Sequence, residues 1–189
     1  VGWLASLVVL LLMGILWSSF ETIAEGGAER VGLHGLAWLA MLGTVFSFPR
    51  LGRRASVLLV LTGAVLVRMA FLGAPVSDDV SRYLWEGKLV ASGENPYAAP
   101  ASDSRWEDSR DAHWDAMNHR DRLTAYPPGM ELVMAAAGAV WYHPFVFKMV
   151  SLVGDFLALG MLILLGRKLD RPVRWLGFYA FNPVVLTAF

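Results

Sequence analysis

Four long runs of apolar residues constrain this chain more than anything else in it, because each must be buried in something. Val1–Phe20 holds no ionisable residue, Val31–Phe48 holds only His34, Ala55–Val76 only Arg68, and Phe145–Leu165 only Lys148 and Asp155. A helix needs about 20 mostly apolar residues to cross the hydrocarbon core of a bilayer, and each run is near that length. A soluble chain of 189 residues has no use for four such helices. The 56% hydrophobic content and mean hydropathy of +0.50 agree. Val1–Phe20 could imitate a secretory signal peptide, but it lacks a basic leading region and a convincing cleavage site. The expectation is an all-α membrane protein, a multi-pass transmembrane helix bundle with a helical extracytoplasmic loop. Formal net charge is zero and no basic stripe stands out, so nucleic acid is not an expected partner. The chain has no cysteine, which excludes disulfides and thiolate metal sites.

Orientation follows from the basic residues. The link Pro49–Arg54 carries Arg50, Arg53 and Arg54 without an acid, so it belongs in the cytoplasm. Glu21–Arg30 is acidic apart from Arg30 and belongs on the other side. The N-terminus is then cytoplasmic, residues 1–76 form three transmembrane helices, and residues 77–126 form an extracytoplasmic loop. Aromatic residues recur in that loop (Trp85, Tyr97, Trp106, Trp114, Tyr126), unlike a disordered linker. Gly166–Arg174 is basic again through Arg167, Lys168, Arg171 and Arg174. Its sidedness depends on residues 127–142, which either cross the membrane or form a short re-entrant or interfacial helix. The second reading is favoured, since the segment is short and carries Glu131, Gly129 and Gly138. Residues 145–165 read as a transmembrane helix and residues 173–189 as the start of a further one. About five spanning helices and one short helix are expected. The start without Met and the end inside an apolar helix read as a fragment of a longer protein.

Beyond the third run the chain reads Ala74-Pro75-Val76-Ser77-Asp78-Asp79-Val80-Ser81-Arg82-Tyr83-Leu84-Trp85-Glu86-Gly87. Pro75 stops the preceding helix, and Ser77 can cap an amphipathic helix over 78–92 that Gly93 ends. Asp78 and Asp79 then fall in its first turn, where backbone N–H groups and the helix dipole favour ionised carboxylates. Arg82 follows one turn on, and Glu86 four residues later. Acids at a helix start are ordinary capping, and acid–base–acid spacing is an ordinary solvated face. Two adjacent acids at a membrane surface also suit catalysis on a membrane-bound substrate, and the spacing leaves both readings open.

The ordered set Ser77-Asp78-Asp79-Val80-x-Arg82-Tyr83-Leu84-Trp85-Glu86-Gly87, Gly93-x-Asn95-Pro96-Tyr97, Asn118-His119 and Tyr126-Pro127-Pro128 resembles the first external loop of the GT-C glycosyltransferases. These are multi-pass enzymes that use polyprenyl-phosphate sugars. Bacterial mannosyltransferase-like members are the nearest likeness, and Tyr179-x-x-Asn182-Pro183 resembles a further stretch of them. The resemblance covers residues 60–189. It implies transfer of a hexose, mannose first, from a polyprenyl-phosphate donor to a glycan, lipid or protein acceptor at the outer face of a bacterial cytoplasmic membrane. Asp78 or Asp79 would be the catalytic carboxylate. Arg82, Lys88 and His119, with Arg120 and Arg122, would meet the donor phosphate, and Trp85, Glu86, Asn95, Tyr97 and Tyr126 would line the substrate site. Glu86 stands where Asp is more usual, and Arg120 where Pro is common; both departures bear on substrate choice. No metal ligand set and no certain cofactor are implied, and a divalent ion is left open.

The remaining charges divide by cost. His113, Asp115 and His119 match no strong ligand spacing, and His34 reads as a packed membrane histidine. Arg68 and Asp155 lie within apolar runs, where a charge is expensive and faces the bundle interior. An ion pair between them is the favoured expectation, with Arg68 reaching toward a donor phosphate as the alternative. Glu131 and Lys148 read as snorkelling residues near the interfaces. A transporter or flippase, and a non-catalytic membrane subunit, are the competing functional classes.

Overall fold

The structure, a computed structural model, describes residues 2–20, 27–77 and 79–187. Among them there are helices and turns and no strand. Asp78, one of the two candidate catalytic acids, lies outside the described residues. Two units are distinct, residues 1–75 with 151–189 and residues 76–150.

The first unit is built on α1 (Gly2–Trp17), α2 (Gly27–Phe46), α3 (Arg53–Phe71) and most of α7 (Phe145–Lys168). Helix α1 is apolar on every side. It buries Trp3, Leu7 and Leu10 at helical spacing and leaves Leu4, Val8, Leu12 and Ile15 exposed. Its inner face meets Ala37, Ala40 and Met41 of α2 and Val60, Ala64, Val67 and Phe71 of α3. Small residues permit the close approach: a Cβ on Gly14 would lie 2.7 Å from Ala70 and Phe71. Among the described residues, α3 and α7 are the two helices long and apolar enough to cross a membrane. Helix α1, at 16 residues, spans about 24 Å at ~1.5 Å per residue.

Residues 173–187 differ from the single helix expected to start there and run over 173–189. A 3-10 turn (Val173–Leu176), α8 (Gly177–Ala180) and α9 (Pro183–Thr187) replace it. The break falls before Pro183, which has no N–H to donate and biases Asn182 away from helical geometry. Asn182 then starts α9, its Oδ1 accepting the Val184 N–H at 2.9 Å.

The second unit packs α4 (Asp79–Ala91) on α6 (Pro128–Val140), with the first turns of α7 and the short α5 (Ala112–Ala116) beside them. Gly93 closes α4 at φ 85°; its N–H reaches Val90 O and the Glu94 N–H reaches Leu89 O, which satisfies the last carbonyls of the helix. Gly87 sets the distance between α4 and α6, since a Cβ there would lie 2.6 Å from the Met134 carbonyl. Val80, Leu84, Met134, Ala137, Val146 and Phe147 form one core, and Trp85, Leu89, Trp106 and Met117 form another beneath the 96–117 loop. At 13 residues, α6 spans about 20 Å, well short of the ~30 Å hydrocarbon core.

Candidate functional site

Asp79 opens α4, half-buried, with its N–H donating to Ser77 Oγ at 3.3 Å. One turn further along the same helix Arg82 is buried. Its Nη1 donates to Glu86 Oε1 at 2.8 Å, and its Nη2 to the carbonyls of Asn118 at 3.1 Å and His119 at 2.6 Å. Arg82 therefore clamps the turn at residues 118–119, where His119 stands at φ 48° with an exposed side chain.

Across the α4–α6 contact lies a group that sequence reasoning missed. Glu131 was expected to snorkel to an interface, yet it is 2% exposed, as is Glu86. Lys148 is buried as well. The close pass at Gly87 draws Glu131 inward, and Thr124 bridges the two acids. Its hydroxyl lies 2.9 Å from Glu86 Oε2 and 3.0 Å from Glu131 Oε1, and it also accepts the Tyr126 N–H at 3.4 Å. A hydroxyl has one hydrogen and two lone pairs, whereas an ionised carboxylate only accepts. With both acids charged, one carboxylate contact would set acceptor against acceptor. The arrangement is satisfied when Glu131 is neutral and donates to Thr124, Thr124 donates to Glu86, and Arg82 balances the Glu86 charge. Burial first, then the Glu86 charge, pushes the Glu131 carboxyl up to about 7, against the opposing pull of Thr124 and Arg82. Among the described residues Glu131 Oε2 is buried with no hydrogen-bond partner. The signal in the sequence was a lone acid in the first turn of an apolar helix.

The tyrosines join this group. Tyr83 and Tyr126 meet edge to face at 5.0 Å, and Tyr97 Oη donates to Tyr126 O at 2.6 Å. Burial raises the Tyr126 phenol well above its usual range, and Tyr83 and the charges of Asp79 and Glu86 add to this. Burial, then the charges of Glu131 and Glu86, raise the Tyr97 phenol too.

Trp85, Lys88 and Asn95 are engaged in contacts within the unit. Trp85 is a core residue whose Nε1 donates to Ser109 O at 3.0 Å. Lys88 binds Ser109 O at 2.8 Å and Asp111 Oδ2 at 2.6 Å. Burial would raise the Asp111 carboxyl, but hydrogen bonds from Lys88, Tyr142 and the Trp114 amide outweigh it and hold the carboxyl low. Asn95 caps a short turn by accepting the Tyr97 N–H. Arg120 lies over the Trp114 ring at 4.4 Å, and Arg122 is exposed. Among the described residues no group of three or more His, Asp or Glu is placed to hold a metal ion.

In the first unit, Arg68 and Asp155 form a buried bidentate ion pair. Nε meets Oδ2, and Nη2 meets Oδ1 at 3.1 Å. Arg68 Nη1 also donates to Ala180 O at 2.7 Å and Ala64 O at 3.2 Å, and its guanidinium lies 5.3 Å from the Phe156 ring centre. Comparisons with protein-family models, with curated proteins and with solved structures give no match.

Proposed function

We propose that the protein is an integral membrane glycosyltransferase of the GT-C kind, moving a hexose from a polyprenyl-phosphate donor to an acceptor hydroxyl at the extracytoplasmic face. One observation carries this reading. The motif pieces that suggested it lie far apart in sequence, yet specific hydrogen bonds and ring contacts join them within the second unit. Arg82 of the Ser77–Gly87 stretch holds Asn118-His119, Tyr97 holds the Tyr126 carbonyl, and Tyr126 packs on Tyr83.

The membrane part is supported by what α7 leaves uncovered. Only 11% of its most apolar stretch is buried, and Leu157, Met161 and Leu164 face outward. The core helix of a soluble protein would be mostly buried, so this surface calls for lipid or further protein. Helices α3 and α7 run antiparallel: Arg53 meets Gly166 O and Asp170 at one end, while Arg68 meets Asp155 toward the other. Both basic stretches, 50–54 and 167–174, therefore share one end, which the charge rule assigns to the cytoplasm. The first unit is interrupted between residues 75 and 151, on the far side of the Arg68–Asp155 pair from those basic stretches, and the short α6 has no length to cross.

In the reaction the acceptor oxygen attacks the anomeric carbon, the bond from that carbon to the lipid phosphate breaks, and the bonding pair stays on the phosphate. Asp78 or Asp79 takes the acceptor proton. The leaving phosphate needs cations placed beforehand. Arg82 and Lys88 are engaged inside the unit, so His119 and Arg122 on the exposed turn suit that role, and Arg82 positions the turn. The buried ion pair and the Ala64 and Ala180 carbonyls together engage all three guanidinium nitrogens of Arg68, which favours a structural duty over a transporter path.

The test is sugar transfer by the full-length protein from polyprenyl-phosphate donors, with Asp78→Asn and Asp79→Asn made separately. One variant should lose on the order of 10²-fold or more in rate. Wild-type rates in both would remove the catalytic assignment.

A further inference from the structure

The basic end of the first unit contains more than a row of interfacial arginines. After α7 the chain turns sharply at Asp170, which stands at φ 49°, a left-handed position that aspartate accepts more readily than most residues and that its surroundings here reinforce. Two bonds do so: the Arg171 N–H donates to Gly166 O at 2.8 Å, and Asp170 Oδ1 pairs with Arg53 at 3.2 Å. The turn folds residues 171–179 back along the α3–α7 pair. It borders an open-sided cavity of about 360 Å³, walled by side chains such as Leu162, Ile163, Leu176 and Phe178. That volume falls within the size of ordinary small-ligand sites. Arg53, Arg167 and Arg171 line the same cavity, and a groove past Arg54, Val57 and Leu58 continues it. Among the described residues, Arg167 and Arg171 form no ion pair.

An apolar solute would make no use of the exposed Arg167 and Arg171 at the rim, and a free anion would leave the apolar wall wet. A molecule with an acyl chain and one anionic head satisfies both. We infer that this cavity is a binding site for an anionic phospholipid of the cytoplasmic leaflet, with the acyl chain against Leu162, Ile163 and Phe178 and the phosphate at Arg167 and Arg171. The inference rests on the membrane reading and is independent of glycosyl transfer.

Trp175 lines the cavity and supplies the probe. The full-length protein is reconstituted in phosphatidylcholine vesicles containing increasing fractions of phosphatidylglycerol, with bromine on the acyl chains of one lipid at a time. The signal from Trp175 is the difference between wild type and Trp175→Phe. Brominated phosphatidylglycerol should quench it at a mole fraction about tenfold below that needed for brominated phosphatidylcholine. The double variant Arg167→Gln/Arg171→Gln should remove most of that preference. Equal quenching by the two lipids, an unchanged preference in the double variant, or relief of quenching by inorganic phosphate would each overturn the site. Protein that fails to float with the vesicles on a density gradient would overturn the membrane reading itself.

Discussion

Arg68 in the first unit and Arg82 in the second are both buried and both bonded to a carboxylate, but they are balanced in different ways. Around Arg68 there is one acid, Asp155, and two backbone carbonyls, so cation and anion match and the guanidinium is fully surrounded. Around Arg82 there are two acids, Glu86 and Glu131, with Thr124 between them. The surplus is resolved by a proton on Glu131. The Arg68 pair is matched charge for charge, whereas a cluster with one acid too many carries a proton that can leave.

The largest expected effect comes from opening the closed pair. Arg68→Ala leaves Asp155 buried without its cation and should destabilise the protein by about 3–5 kcal/mol. Arg68→Met with Asp155→Leu removes both charges together and should recover most of that loss. Thermal unfolding in detergent measures both. Equal losses in the single and double variants would mean that packing, and not charge, holds this site together.

The second cluster should respond to pH. The folded Glu131 carboxyl titrates at about 7, above its ordinary 4.5, so the folded state binds this proton more tightly than the unfolded chain. The stability it contributes is fully present below the ordinary value and is lost as pH rises through about 7. The loss is on the order of 3 kcal/mol across that window. Glu131→Gln keeps the shape and removes the titration, so its stability should change less over the same range. Parallel pH profiles for wild type and variant would break the contrast with Arg68.

The two clusters were not equally legible in the sequence. Arg68 and Asp155 stood alone inside apolar runs, and the cost of a charge in hydrocarbon was enough to suggest that they pair. Nothing in the sequence paired Glu86 with Glu131. Their contact depends on how closely α4 and α6 approach at Gly87, and on a loop that delivers Thr124, so it is a tertiary fact without a local pattern. The helical character of the chain could be read from hydrophobic runs. The break before Pro183 was readable too, had that proline been weighed against the apolar run around it. The roles of Trp85, Lys88 and Asn95 could not be separated by residue type, because an aromatic, a cation or an amide serves a core, an ion pair or a cap as readily as a substrate.

Tyr97 carries the smallest predicted effect and tests that last ambiguity. Its hydroxyl donates to the Tyr126 carbonyl and so ties the 95–97 turn to the segment that starts α6. Tyr97→Phe removes this exposed hydrogen bond and leaves the ring, which should cost only a small amount of stability, read as a slight drop in the thermal unfolding midpoint. If the hydroxyl only braces the loop, stability falls by that amount and transfer activity keeps its KM. If it also meets substrate, KM or kcat changes by more than so small a loss of stability can produce. The first outcome extends to the loop the structural duty seen at Trp85, Lys88 and Asn95. The second puts Tyr97 in contact with substrate beside the Glu86–Thr124–Glu131 cluster whose charges it feels, and sharpens the contrast with the closed pair at Arg68.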